Sequence, residues 1–475
     1  MIHDKSTTSL NFFSRYESII DDWDAFEAYS QKPLPATIWT NTLKTTSSRL
    51  ATKIPLKPLE WYPGAFLFPK DLKPATLLPY VAGHYQIQEE AALLPIHLMN
   101  PQPGETILDM CAAPGNKTVQ MAVAMQSTGV VVANDRSRAR LSILRRSVSR
   151  LGLTNVAMTV YDATSLQGEP ESYDKILADV PCSGEGTVRR HKKKTQFIST
   201  RRRDHIQNIQ LAILNKAVSL CKTGGRIVYS TCTFAPEENE AVLNKMLLQH
   251  EGRVSVIPAH VQGFKTMPGL TSWEGETFEE EISHAHRVWP HHNDTGGFFV
   301  AVIEKNATTK APSRKIVASP LEVLPSDGIS RVFCDRFGLS KEVFEQFSLQ
   351  QYGKFLSIRS FDILPANTPT PLQAGLPFCR PEGTSQKMKT GAAMKWGETA
   401  AKNQIELTLD QAYFYGNGET IAFKAELLEK TTTPGYVLIK HQDMHLGLGF
   451  LRIENGIASI ESLLPKQWVH TLNKH

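Results

Sequence analysis

The sequence predicts an α/β chain, with a mostly parallel sheet wound with helices, a small α+β module before it and a compact β barrel after it. Three observations carry that prediction. Between about residues 86 and 305, apolar β-type runs alternate with helical stretches at the spacing of βαβ units. Two cysteines, Cys182 in DVPCSGEG and Cys232 in YSTCTF, stand at the ends of two of those runs, where such a sheet presents groups to a ligand. The end of the chain, in TPGYVLIKHQ and MHLGLGFLRIENGIAS, reads as short strands punctuated by glycine.

The 475 residues suit roughly two to four domains of about 100–200 residues. Residues 1–85 open with an amphipathic pattern over residues 10–29. They continue through PLPATIWTNTLK and WYPGAFLFPKD, strand-like runs broken by proline and glycine, as expected of a small α+β module rather than a linker. In the segment 86–305, ETILDMCAAPG reads as strand then loop, and NKTVQMAVAMQ as a helix starting near Lys117. GVVVAND, VAMTVYDAT, YDKILADVPC and GGRIVYSTCTF are further strands, with helices RARLSILRRSVSRLG, HIQNIQLAILNKAVSLC and EENEAVLNKMLLQ among them. GGFFVAVIEK suits a final antiparallel edge strand. Residues 306–315 read as a polar linker, 316–397 as a segment of unassigned fold, and 398–475 as the barrel.

Hydrophobic residues at 41% and charged residues at 21% describe a soluble chain, and the net charge of +5 is uneven. Residues 189–203, RRHKKKTQFISTRRR, hold eight cationic side chains, read as a surface for nucleic-acid phosphates against the alternative of a solvated helix face. Six cysteines without a CxxC fit reduced thiols, and the N-terminus shows neither a signal layout nor a long apolar run. A cytoplasmic, non-membrane, monomeric protein is expected. The histidines of SHAHRVWPHHND match no zinc spacing, so no metal is expected and a surface or RNA-facing loop is favoured.

A thiolate is a strong nucleophile toward an electron-poor ring carbon, and two thiols suit a reaction that makes a covalent bond and then helps to break it. Residues 108–118, LDMCAAPGNKT, put small residues where a ligand approaches backbone amides before a helix, without a dinucleotide or triphosphate fingerprint. Asp135 ends the next strand, placed for ribose hydroxyls, and Asp162 the one after, placed for an adenine amino group. Alternatively both cap the helices that come next. Gln88 and Glu89 face substrate or start a helix.

CAAPGNKT, DVPCSGEG and STCTF, in this order and spacing, resemble the RNA cytosine-5 methyltransferases of the Nop/Sun and RsmB/RsmF type, over roughly residues 36–305. GYVLIKHQDMHLGLGFLR resembles the PUA-type module of RsmF-like relatives. The resemblance implies a Rossmann-like class I methyltransferase sheet, a PUA-like C-terminal barrel, S-adenosylmethionine as cofactor and RNA as partner, ribosomal RNA before transfer RNA. It implies a cofactor site of Cys111, Ala112, Ala113, Pro114, Gly115, Asn116, Lys117, Asp135, Asp162 and Asp179, with Arg140 one helical turn beyond Asp135. It implies Cys232 as the nucleophile at cytosine carbon-6, Cys182 as the residue assisting release, and Asp179 and Lys117 at the ring edge. Cys111 is expected to contribute backbone rather than sulfur, and Cys221, Cys334 and Cys379 to fill core. A DNA cytosine-5 methyltransferase, which attacks through a proline-cysteine motif, and a non-catalytic RNA-binding assembly factor stand as alternatives. The chain departs from the family at Trp39, where relatives carry arginine, at Asn116, where glycine is commoner, and after DVPCSGEG, where Phe197 is the nearest aromatic to a missing tryptophan.

Overall fold

A computed structural model of the chain describes residues 13–190, 199–309, 323–324, 327–361, 363–381, 387–468 and 472. Its centre is a ten-stranded mixed sheet. Five parallel strands form the heart: β1 (Thr106–Asp109), β2 (Val130–Asn134), β3 (Val156–Thr159), β4 (Tyr173–Asp179) and β5 (Cys221–Thr231). They lie in the order β3-β2-β1-β4-β5, so the order reverses between β1 and β4. Ligands of such sheets bind outside the carboxyl ends of the strands at this reversal. All five residues of β2 are buried, as helices on both faces require. Those helices include α1 (Asn116–Ala124), α2 (Arg138–Leu151), α3 (Thr200–Leu220) and α4 (Glu240–His250). Ser137 caps α2 by accepting from Arg140 N, and Gly152, at φ +76°, ends it in the left-handed region that glycine adopts without strain.

The sheet extends through β6 (Val254–Val256), β7 (Met267–Pro268), β8 (His286–Val288), β9 (Phe298–Lys305) and β10 (Gln373–Ala374), all antiparallel to their neighbours. Strand β9 was expected at the edge, but it lies between β5 and β8 and also pairs with β6. Residues 298–303 are buried throughout, and covering them requires partners on both sides. Strand β10 comes from the segment of unassigned fold, whose hydrogen bonds to β3 complete the opposite edge.

The helix expected over residues 10–29 is two pieces, a 3-10 turn Ser14–Ile19 and an α-helix Trp23–Gln31, with residues 10–12 outside the described region. Asp22 divides them, in extended conformation with its side chain accepting from Ala25 N at 2.9 Å. This segment packs Phe13, Tyr16 and Phe26 against Val188, Phe234 and Trp289 beside the central sheet. A four-stranded antiparallel sheet comes next, and its last strand in sequence, Tyr85–Ile87, leads toward the central sheet.

Beyond the central sheet, a three-stranded sheet and the helix Thr390–Trp396 share one core with Leu438 and Leu448 of a five-stranded C-terminal sheet. That last sheet pairs Gly435–His441, Met444–Glu454 and Ile457–Ser462 in sequence. Within the linker 306–315, residues 310–315 lie outside the described region. No helix among the described residues is long and apolar enough to cross a membrane.

Candidate active site

The carboxyl ends of β1, β2, β4 and β5 bring most of the expected site residues into one region. Strand β1 ends in Asp109, and the loop from Cys111 to Gly115 then turns into α1. Gly115 has φ +112°, and a Cβ there would meet Leu144 Cδ1 at 2.5 Å, so only glycine lets the loop lie this close to α2. Asn116 accepts from Gln86 Nε2 at 2.9 Å, a contact that a glycine could not make.

Asp135, buried just after β2, accepts from Ala113 N at 3.1 Å and Ser137 N at 2.8 Å, so it ties the loop to the start of α2. Arg140 stands 3.4 Å from Asp135 Oδ2 and donates to Ala113 O. Asp162 accepts from Thr164 N and Oγ1 at 2.9 and 2.7 Å; these hydrogen bonds hold its carboxyl below the usual range. Asp162 therefore makes the capping contact foreseen as the alternative, whereas Ser137 rather than Asp135 caps α2, and both carboxylates line one cleft with Met110, Cys111, Ala163 and Ile213. Burial pushes the Cys111 thiol up, with help from Asp109, Asp179 and Asp135.

On the other side of β1, Cys182 Sγ and Cys232 Sγ lie 3.4 Å apart. The Cys182 thiol is pushed well up, chiefly by its hydrogen bond to Cys232 and then by burial, so in this pair Cys182 keeps its proton. Lys117 Nζ donates to Asp179 Oδ2 at 2.7 Å, and Ser230 Oγ donates to Oδ1 at 2.7 Å. Burial alone would lower the Lys117 pKa, but Asp179 and the charge of a Cys232 thiolate outweigh it and the net direction is up. The arrangement is a thiol pair beside a permanent ammonium, set to stabilise one thiolate. Asp109, buried beneath the loop with Thr118 Oγ1 at 2.6 Å, is raised to about 7 by burial.

Ser230, Thr233, Glu185 and Glu238 were missed in the sequence. Ser230 had a legible signal, since it stands in the same motif as Cys232, two residues before it at the end of β5.

Other expectations need correction. Of the basic run 189–203, residues 191–198, with Phe197, lie outside the described region. Arg189 is buried, donating to Lys32 O, Pro33 O and Thr295 O and pairing with Asp294 at 2.6 Å, while Arg203 pairs with Glu237 at 3.2 Å. These two arginines hold the fold together rather than face solvent, whereas Arg190, Arg201 and Arg202 of the run are exposed. The histidine-rich stretch is likewise not a surface loop. His286 lies in β8, and His291 and His292 have buried side chains whose Nε2 atoms lie 2.8 and 2.9 Å from Asp21 Oδ1. Lys265 already pairs with that carboxylate at 3.0 Å. The stretch docks the N-terminal segment, and burying polar rings requires such partners. Trp39 is buried, with Nε1 donating to Gln88 Oε1 at 2.9 Å, so neither residue faces substrate. Glu89 accepts from Ala91 N and Ala92 N, the helix-start role. Cys221 and Cys379 are buried, whereas Cys334 is only partly so.

The parallel strand order and the cleft at its reversal define a class I methyltransferase fold. A methyltransferase homologue from Pyrococcus horikoshii shares it, with TM-score 0.54 and 30% identity over 63% of this chain and 99% of that one. The family described as 16S rRNA methyltransferase RsmB/F matches residues 96–304. The ribosomal RNA small subunit methyltransferase F of Shewanella loihica is 31% identical over 90% of this chain and 88% of its own. The tRNA (cytosine(49)-C(5))-methyltransferase of Pyrococcus abyssi is 34% identical over 61% of this chain and 94% of its own. The chain belongs to the Nop/Sun family of RNA (cytosine-C5)-methyltransferases and is an S-adenosylmethionine-dependent enzyme of that type.

Proposed function

We propose that the protein methylates carbon-5 of a cytosine in ribosomal RNA through a covalent adduct on Cys232, which Cys182 helps to release. The thiol pair beside the Lys117 ammonium carries this reading.

The cleft fits the cofactor. Its apolar wall of Met110, Ala163 and Ile213 suits a nucleoside ring, and Asp162 Oδ2 takes no hydrogen bond among the described residues. Asp135 would hold the ribose and Asp162 the adenine, with backbone from Cys111 to Lys117, Asp179 and Arg140 completing the site. S-adenosylmethionine supplies a methyl group on a positively charged sulfur.

Carbon-5 of cytosine is a poor nucleophile until Cys232 Sγ adds at carbon-6, which leaves an enamine-like ring that can accept the methyl group. Asp179 hydrogen-bonds the ring edge near nitrogen-3, and Lys117 stabilises the attacking thiolate and the charge of the adduct. The carbon-5 proton then leaves to a base, the ring double bond re-forms, and Cys232 departs. Cys182, protonated and 3.4 Å away, assists that departure. The target base must leave its stack to reach Cys232, which suits a single-stranded or loop nucleotide.

Ribosomal RNA is favoured over transfer RNA because the F-type relative aligns through the C-terminal region, whereas the tRNA-modifying relative matches only 61% of the chain. The five-stranded C-terminal sheet is read as a PUA-like module and the N-terminal sheet as a further RNA grip, in a monomeric cytoplasmic enzyme.

Incubation of RNA and cofactor with the wild type, Cys182→Ala and Cys232→Ala, followed by denaturing gels, tests the mechanism. Cys182→Ala accumulates adduct, and Cys232→Ala forms neither adduct nor product. The opposite pattern would assign attack to Cys182. Bisulfite mapping of ribosomal and transfer RNA from cells with and without the gene decides the substrate.

A further inference from the structure

Each proposed catalytic cysteine is followed by a hydroxyl residue, and the two hydroxyls meet, with Ser183 Oγ 2.6 Å from Thr233 Oγ1. Thr233 donates onward to Glu185 Oε2 at 3.3 Å, and so must accept from Ser183. Tyr16, from the N-terminal segment 169 residues away in sequence, donates its hydroxyl to the same Glu185 oxygen at 2.8 Å. All four side chains are part-buried or buried. Behind them, Glu238 Oε2 accepts from Ser183 N at 2.9 Å and from Gln210 Nε2 at 3.1 Å.

The two thiols depend on this network unequally. Cys232 directly follows β5, and its carbonyl accepts from Gly186 N at 2.9 Å. Cys182 lies on a loop that has left the sheet, held by Gln210 Nε2 on Pro181 O at 2.9 Å and Ser183 N on Glu238, with the Ser183 hydroxyl as its tie to the Cys232 loop.

We propose that Tyr16 and Glu185 are positioning residues that, through Thr233 and Ser183, hold Cys182 within reach of Cys232 for the release step. This rests on the mechanism proposed above and deepens it, since the N-terminal segment becomes part of the active site. Charge matters in the chain. Both Tyr16 and Thr233 donate to Oε2 of Glu185, and Oε1 has no partner among the described residues, so a proton taken up by Glu185 goes to Oε1 and weakens both charge-assisted bonds without replacing either. The groups facing Glu185 are Tyr16 and Arg15 from the N-terminal segment and Thr233 and Glu238 beyond β5. Burial raises its carboxyl to about 7, with Glu238 raising it further and Tyr16, Arg15 and Thr233 opposing.

The test measures adduct formation and adduct release separately, by quenched denaturing gels between pH 5.5 and 8.5, for the wild type, Tyr16→Phe and Glu185→Gln. In the wild type, the steady-state adduct fraction rises as pH falls through about 7. Tyr16→Phe slows release about tenfold with formation changed less than about twofold, and moves the rise to higher pH, because an ionised carboxylate has lost a donor. Glu185→Gln holds adduct at a level that no longer varies with pH through this range. Adduct fractions in both variants that track the wild type at every pH would overturn the proposal, as would an equal loss in both steps at all pH values, the signature of a general folding defect. Failure of the wild type itself to methylate RNA would remove the mechanism and this inference with it, and only that outcome touches both.

Discussion

Asp179 receives Lys117 Nζ on one oxygen and Ser230 Oγ on the other, each at 2.7 Å, so one carboxylate orients the ammonium that faces Cys232. Replacing Lys117 with Met withdraws that positive charge without introducing a new one. In a Cys182→Ser background, alkylation of Cys232 by iodoacetamide at pH 7 slows about tenfold, and its pH midpoint rises by about one unit. Ser230→Ala leaves the ammonium in place and changes the midpoint less. An unchanged midpoint in Lys117→Met shows that the thiolate draws its stabilisation from elsewhere.

Gly297, at the start of β9, is pressed between the two cysteine loops. Its N–H donates to Gly186 O at 2.9 Å, and a Cβ on it would meet Phe234 Cε1 at 2.0 Å and Gly186 Cα at 2.9 Å. Phe234 is itself packed by Phe13, Phe26 and Trp289, so it has no room to retreat. Gly297→Ala therefore moves the loops apart. The expected result is methyl transfer reduced by at least about 100-fold with S-adenosylmethionine binding within about threefold, read by single-turnover assay and calorimetry. Equal activity means that the loops absorb the methyl group.

The parallel strands were legible because β1 to β5 are apolar runs closed by motif residues, and the carboxyl ends of neighbouring parallel strands necessarily bring those closing residues together. Whatever depends on contact between distant segments stayed hidden. Strand β10 is two residues long and owes its conformation to β3, leaving no periodicity to read. Arg189 and Arg203 look alike in composition to arginines on a nucleic-acid surface, and only their partners Asp294 and Glu237, 105 and 34 residues away, show them to be internal. Tyr16 illustrates the same limit at the candidate site, for an aromatic in an N-terminal helical pattern gives no sign of the carboxylate it meets.

Asp135 and Asp162 line the same cleft but carry different structural burdens, which separates their variants. Asp162 is exposed and caps a single 3-10 turn, Ala163–Ser165. Asp162→Ala weakens S-adenosylmethionine binding about tenfold by loss of one hydrogen bond from the ligand, and leaves thermal stability within about 1 kcal/mol. Asp135 is buried and accepts from two backbone amides, so Asp135→Ala leaves both unsatisfied, weakening binding and lowering stability by about 2–3 kcal/mol. Calorimetry with denaturant melts checks the pair. Equal stability loss in both would contradict this division.

His84 sets an acid limit on the fold. Burial lowers its pKa from 6.5 to about 3, and Lys44 and Lys53 push the same way against Asp443. The depressed value of a base gives the sign: the folded chain holds His84 neutral, so stability is fully present above 6.5, the unfolded value, and falls as pH drops toward 3. By pH 5 the loss from this one residue is about 2 kcal/mol. His84→Gln keeps a neutral polar side chain and removes the titration, so its stability relative to wild type improves by about that amount between pH 7.5 and pH 5 in urea melts. Carboxylates titrate equally in both proteins and cancel from the comparison. Parallel pH curves for the two would show that His84 accepts a proton in the folded chain, with Asp443 sustaining the charge.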